Sequence, residues 1–202
     1  LDIGCGCAGL GLALKEKFGV THYTGIEINR QAAESARELY PDAVIINSDI
    51  LHLTSMELTR GAFDVVFSLG CIDWNIQFSE MLQSAYSYIK PGGYFVSSFR
   101  LTDKASVRDV NKSFQYINFS GIKQGEIAPY VVMNILELLD LLKKLHPVQI
   151  TGYGYWGKPS ETAVTSFDKV CFSVLAVQKN SLPTTHPRIH LDLPQDLWSR
   201  NT

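Results

Sequence analysis

Leu1-Asp2-Ile3-Gly4-Cys5-Gly6-Cys7-Ala8-Gly9-Leu10-Gly11 opens the chain and decides its fold. An apolar strand end carrying an acid runs into a glycine-rich turn, and the turn runs into a helix. With no side chain at Gly4 or Gly6 the backbone can approach a ligand closely, and the helix beyond them offers unpaired N–H groups at its start. Such a loop suits a nucleotide-like cofactor. Gly4, Gly6 and Gly9 also fit the G-x-G-x-x-G spacing of dinucleotide sites, so the loop alone leaves the cofactor open. The chain begins inside this motif, so its first strand is nearly missing, and the 202 residues read as a fragment of a longer chain.

Outward from the loop, strands and helices alternate. Residues 9–18 read as a helix stopped by Gly19. Residues 22–28 form a short strand ending in Glu27, and Asn29 caps a helix over 30–39 that Pro41 follows. Residues 43–47 make a third strand with Asp49 just beyond it. Phe63-Asp64-Val65-Val66-Phe67-Ser68 is a fourth, an apolar run of the kind buried on both faces of a parallel sheet. A helix over about 78–89 leads through a tight turn, Lys90-Pro91-Gly92-Gly93, into a strand over 94–99. This alternation implies parallel strands joined by right-handed crossovers.

The rhythm breaks over residues 101–130, which are polar and lack clear periodicity, as a functional loop or lid would. An apolar helix over about 131–145 comes next, then strands over 148–155 and 170–177. Gly157-Lys158-Pro159-Ser160 between them permits a hairpin and hence an antiparallel end to the sheet. From residue 180 onward Pro183, Pro187 and Pro194 accompany a loss of periodicity, read as a linker or a strip on the surface. The expected organisation is one domain over 1–178 with a tail over 179–202.

Composition bounds the function. A hydrophobic content of 46% and a charged content of 19% are those of an ordinary globular domain. A net charge of −2 with scattered lysines and arginines gives no basic patch for nucleic acid. No run approaches the ~18 apolar residues of a membrane span. Four cysteines without a secretory leader suit a reducing, cytoplasmic setting. The Cys5-x-Cys7 pair is poorly spaced for a tetrahedral metal site, so small buried thiols are the better reading.

The acids discriminate between cofactors. Glu27 ends the second strand, where it accepts from ribose hydroxyls in either class of nucleotide site. Asp2, directly before the loop, suits a ligand bearing an ammonium or sulfonium charge and sits awkwardly beside a pyrophosphate. Asp49 is placed to accept from an exocyclic amine such as that of adenine. The inferred terminal hairpin adds an antiparallel strand that the plain dinucleotide fold lacks.

At this point the chain resembles a known family. Asp2-Ile3-Gly4-Cys5-Gly6, Gly25-Ile26-Glu27-Ile28, Ser48-Asp49, Phe63-Asp64-Val65-Val66 and Lys90-Pro91-Gly92-Gly93-Tyr94-Phe95-Val96 look like the successive motifs of class I S-adenosylmethionine-dependent methyltransferases. The resemblance runs from residue 1 to about 178. It implies an α/β, Rossmann-like seven-stranded sheet of order 3-2-1-4-5-7-6 with the seventh strand antiparallel, and S-adenosylmethionine as cofactor. It also implies that Gly4 and Gly6 line the methionine end, Glu27 the ribose and Asp49 the adenine, with Asp2, Cys5, Ile28, Ile50, Ser68 and Leu69 completing the cofactor-contacting set. Ala8 departs from the family's third glycine, which is tolerable if its φ is negative.

In this fold ligands gather beyond the carboxyl ends of the strands. Asp73, in the loop after the fourth strand, is then the candidate base or acceptor-orienting carboxylate, with helix N-capping as its structural alternative. Trp74 is a candidate pocket wall, with core packing as the alternative. Arg100 is a candidate for binding an anionic group, against a solvated surface position. Tyr130 is a candidate substrate contact, against a buried structural tyrosine. The loop after the fourth strand lacks the Asn-Pro-Pro-Tyr type of sequence associated with methylating amino groups of bases or glutamine. A small molecule or a carrier-linked metabolite is the expected acceptor. A nicotinamide-dependent oxidoreductase and a non-catalytic cofactor-binding module are the competing functions.

Overall fold

The computed structural model describes residues 1–54, 56–118, 120–181 and 186–198. Pro183 lies outside the described residues, as do position 119 within the 101–130 stretch and positions 199–202 of the tail. Among the described residues no helix is long and apolar enough to cross a membrane.

Strands β1 (Asp2–Ile3), β2 (Thr24–Glu27), β3 (Val44–Asn47), β4 (Phe63–Ser68) and β5 (Ile89–Thr102) are connected by helices α1 (Gly9–Phe18), α2 (Arg30–Leu39) and α3 (Phe78–Ser87). Then come β6 (Phe114–Tyr116), β7 (Ile127–Pro129), β8 (Met133–Asn134) and α4 (Ile135–Lys143), succeeded by β9 (Gln149–Gly157), β10 (Ala163–Val164), β11 (Val170–Gln178) and β12 (Arg188–Asp192). The main sheet runs β12-β9-β11-β5-β4-β1-β2-β3. β11 is antiparallel to both β5 and β9. With β9 sixth and β11 seventh among the principal strands, this is the 3-2-1-4-5-7-6 order that the resemblance implied. β12 adds a parallel edge strand beside β9, so the chain beyond 180 returns to the sheet, and Leu193 and Leu197 after it are buried.

Local chemistry explains the boundaries. Gly19 closes α1 at φ 66° and donates its N–H to the Lys15 carbonyl. The Asn29 side chain accepts from the Ala32 N–H and starts α2. The expected turn at 90–93 is instead absorbed into β5 as an irregularity: Ile89 pairs with Phe63, and regular pairing with β4 resumes at Tyr94 opposite Val65. Gly92 takes φ 83° there, and a Cβ on Gly93 would lie 2.5 Å from the Asp64 carbonyl oxygen. The last helix starts at 135 rather than 131. Val131 and Val132 are β-branched, Val132 bridges to Val107, Met133 and Asn134 pair with β5, and the Asn134 side chain accepts from the Leu136 and Glu137 N–H groups.

Alternate residues of the short central strands face opposite layers. Ile26 joins the core built by Phe78, Leu82, Leu138 and Leu142 of α3 and α4. Tyr23 and Ile45 join the smaller cluster with Ala33 and Ala36 of α2. The 101–130 stretch, aperiodic in sequence, is folded: β6 and β7 form a three-stranded antiparallel sheet with β10, next to a third cluster of Tyr130, Val132, Ala163, Phe167 and Val170.

Candidate functional site

The loop between β1 and α1 sits at the carboxyl end of the sheet's central strand. Gly4 has φ 73° and Gly6 φ 53°. The two glycines serve different ends. A Cβ on Gly4 would stand 2.4 Å from the Cys71 Sγ, so this glycine lets the loop after β4 close against the backbone. A Cβ on Gly6 would meet nothing within 4 Å, so this is the side open to a ligand. Ala8 corrects the expectation of a negative φ, because it stands at φ 63°. Its methyl is wholly buried with Tyr23 and Ala33, its N–H donates to the Cys5 carbonyl at 2.9 Å, and its own carbonyl accepts from the Leu12 N–H at 3.1 Å. These contacts hold it in a region that costs a non-glycine residue ~1–2 kcal/mol. The Cys5 side chain packs against the backbone of Gly25, and burial, reinforced by Asp2 and Glu27, pushes its thiol up to about 12.

Glu27 ties the loop to the next helix. One carboxylate oxygen accepts from the Gly6 N–H and the other from the Asn29 N–H, each at 2.8 Å. A carboxylate oxygen has two lone-pair sites, so each retains acceptor capacity. Asp2 is buried and accepts from the Tyr23 hydroxyl at 2.6 Å, and burial raises its pKa. Asp49 accepts from the Leu51 N–H at 2.9 Å through one oxygen, with the exposed His52 ring 3.6 Å from the other. Ile28 and Leu69, beyond the ends of β2 and β4, are exposed apolar residues, whereas Ile50 and Ser68 are buried. The Ser68 hydroxyl oxygen is buried without a hydrogen-bond partner.

Asp73, Trp74, Arg100 and Tyr130 come together. Asp73 lies in a short helical turn (Ile72–Trp74), and its side chain caps nothing. Its Oδ2 is 3.2 Å from the Arg100 Nε, and its carbonyl accepts from the Arg100 Nη1 at 3.0 Å. Arg100 is buried rather than solvated, its guanidinium carbon 4.5 Å from the Trp74 ring centroid and 3.8 Å from that of Tyr130. Asp73 Oδ1 is buried with no hydrogen-bond partner. Burial pushes the carboxyl up to about 6 against the opposing pull of Arg100.

Asp73, Trp74 and Arg100 line a cavity of about 410 Å³, whereas Tyr130 lies buried behind Arg100 and does not reach it. The other walls are residues that the sequence reading passed over: Tyr153 and Tyr155 of β9, and Phe172 of β11. Register explains the convergence. Phe172 pairs with Arg100 and Tyr155 with Phe172, while Val174 pairs with Ser98 and Tyr153 with Val174, so one sheet face presents them all. The alternation Gly152-Tyr153-Gly154-Tyr155, with tyrosines on one face and glycines on the other, was the signal available in the sequence. Gly70 also lines the cavity and donates its N–H to the Ser98 hydroxyl at 2.7 Å. The loop over 68–75 therefore touches the glycine loop through Cys71 and walls the cavity through Gly70, Asp73 and Trp74.

Residues 1–95 match a family described as a methyltransferase domain. The 2-methyl-6-phytyl-1,4-hydroquinone methyltransferase of Synechocystis sp. is 30% identical over 96 residues, 48% of this chain and 30% of that relative. The malonyl-[acyl-carrier protein] O-methyltransferase of Marinomonas sp. is 23% identical over 177 residues, 87% of this chain and 64% of that relative. The chain thus spans less than two thirds of either curated relative. An S-adenosylmethionine-dependent methyltransferase structure from Methanosarcina mazei superposes with a TM-score of 0.66 at 18% identity, over 89% of this chain and 91% of that one.

Proposed function

From its place among the class I S-adenosylmethionine-dependent methyltransferases, to which the chain belongs, we propose that it transfers a methyl group to an O, N or C atom of a small molecule or a carrier-linked metabolite. The observation that carries this reading is the Gly6–Glu27–Asn29 arrangement: an open glycine backbone beside a carboxylate already fixed by two N–H groups and still able to accept. That arrangement fits a nucleoside ligand with ribose hydroxyls at Glu27 and a small-residue approach at Gly6. Asp49 accepts from the adenine amine, and the exposed Ile28 and Leu69 supply apolar edges. Asp2, buried with its Tyr23 partner, adds negative potential beneath the methionine end.

When bound, the cofactor supplies an electrophilic methyl on a sulfonium, so the protein's main task is alignment. Holding donor and acceptor in line contributes at most about 7–11 kcal/mol. The Cys71 contact with Gly4 fixes the wall of the acceptor cavity relative to the cofactor loop. Asp73 serves as base or orienting carboxylate, a role its position near neutrality suits. The 101–130 segment is the proposed lid over the acceptor, and the chain just beyond it is held at the site, where the Asp73 carbonyl accepts from the Val131 N–H at 2.9 Å. The free cysteines favour a reducing, cytoplasmic setting.

Calorimetry with S-adenosylhomocysteine, S-adenosylmethionine and NAD tests the cofactor, and preference for NAD overturns the reading. Incubation with labelled S-adenosylmethionine and a metabolite extract then tests the activity. Binding without any labelled product would instead make the chain a cofactor-binding module.

A further inference from the structure

The charge inventory of the 410 Å³ cavity narrows the acceptor. Arg100 has the one positive charge among the residues lining it, and that charge is already engaged. Asp73 Oδ2 lies 3.2 Å from its Nε, the Asp73 carbonyl accepts from Nη1, and aromatic rings lie against the guanidinium at 4.5 and 3.8 Å. Of this charged pair, the atom left over is an acceptor: Asp73 Oδ1, on a side chain 6% accessible, with no hydrogen-bond partner. A buried carboxylate oxygen without a donor is costly, and a ligand that brings one recovers that cost. Trp74, Tyr153, Tyr155 and Phe172 supply flat apolar walls, with the Tyr155 and Phe172 rings 6.1 Å apart. A cavity of this size holds one or two fused rings.

We infer, resting on the methyltransferase reading, that the methyl acceptor is an uncharged aromatic or enolic hydroxyl compound whose ring lies among these aromatic walls and whose hydroxyl donates to Asp73 Oδ1. An anionic acceptor is disfavoured, because it finds Arg100 paired and meets the free carboxylate oxygen head on. In the transfer, a lone pair on the hydroxyl oxygen forms the O–CH3 bond and the S–CH3 bond breaks. Its electron pair stays on sulfur, which becomes a neutral thioether, and the hydroxyl proton passes to Asp73. Arg100 is a positioning residue: it holds Asp73 ionised and turned so that one oxygen stays free.

Three probes of one shape test this on the whole chain: naphthol, its methyl ether and naphthoate, each titrated by calorimetry with and without saturating S-adenosylhomocysteine. Naphthol should bind about tenfold more tightly than either of the others, the size of one hydrogen bond to a buried charge. Asp73→Asn should bring naphthol to within about threefold of its ether while leaving S-adenosylhomocysteine affinity unchanged, and Tyr155→Ala should weaken all three alike. Naphthoate binding as tightly as naphthol, or an ether indistinguishable from naphthol on the wild-type chain, overturns the inference even if Asp73→Asn does not fold. Absence of S-adenosylhomocysteine binding strikes the methyltransferase reading separately, since the naphthol preference is read without it as well.

Discussion

Gly4 and Gly6 share positive φ angles yet answer to different pressures, and alanine at each position separates the two. At Gly6 the new methyl meets nothing in the free protein, so the fold bears only left-handed strain of ~1–2 kcal/mol. For a domain of this length that lowers Tm by about 2–8 °C. The methyl projects into the space we propose for the cofactor, where overpacking costs about 1–3 kcal/mol, a loss of roughly five- to a hundredfold in S-adenosylhomocysteine affinity. At Gly4 the same strain is joined by a contact of 2.4 Å with the Cys71 Sγ. Gly4→Ala should therefore cost about 2–5 kcal/mol of stability, and Cys71→Ala in that background should return part of it. Thermal denaturation and calorimetry on the three variants and the wild type supply both readouts. A folded Gly6→Ala protein that binds S-adenosylhomocysteine within about twofold of wild type would show that no ligand approaches there. A Gly4→Ala protein more stable than Gly6→Ala would show that Cys71 does not constrain the loop.

Glu27→Gln keeps the shape but turns an NH2 group toward one of two backbone donors. Calorimetry should show at least about a tenfold loss of S-adenosylhomocysteine affinity, and denaturant unfolding a loss of about 1–3 kcal/mol. Arg100→Leu strips the partner from a buried carboxylate and should cost about 3–5 kcal/mol at pH 7, measured by urea unfolding, with much of the loss recovered in Arg100→Leu/Asp73→Asn. Asp73 has a folded-state pKa of about 6 against an ordinary 3.8, so the unfolded chain releases this proton more readily. Relative to Asp73→Asn, wild-type stability should be greatest below about pH 4, fall between about 4 and 6, and level off above, as urea titrations across that range would show. Asn134→Ala removes the acceptor for two N–H groups at the start of α4 and should cost about 1–2 kcal/mol by the same measurement.

Sequence was most informative where one local cause dominates. The span of α1 follows from Gly19, the start of α2 from Asn29, and β4 from an apolar run with no competing pattern. The placement of Glu27 has the same origin, because a strand end beside a glycine loop leaves few orientations. Misreadings arose where a distant partner decides. Lys90-Pro91-Gly92-Gly93 has the composition of a turn, but Gly92 donates to the Lys179 carbonyl and Gly93 presses on Asp64, contacts from β11's end and β4 that convert it into irregular strand. Residues 101–130 show no period because three-residue strands are too short to display one. Ala8 takes a glycine's conformation because burial of its methyl compensates for the strain.

Arg100 shows how such a partner could be anticipated. It stands between Phe99 and Leu101 in a strand otherwise suited to burial, and an arginine read alone defaults to the surface. Parallel pairing of β4 with β5 places Ser68 opposite Ser97, so the residues leaving Ser68 run beside those leaving Ser97. Asp73 and Arg100 are the first acid and the first base after those paired serines. Two opposite charges leaving adjacent parallel strands on the carboxyl side, each flanked by apolar residues, have little access to water and neutralise each other first. The family resemblance implied the order of the sheet, and once that order is granted, Arg100 belongs to Asp73 before it belongs to any substrate. The acceptor site we propose then turns on the carboxylate oxygen that this pairing leaves over.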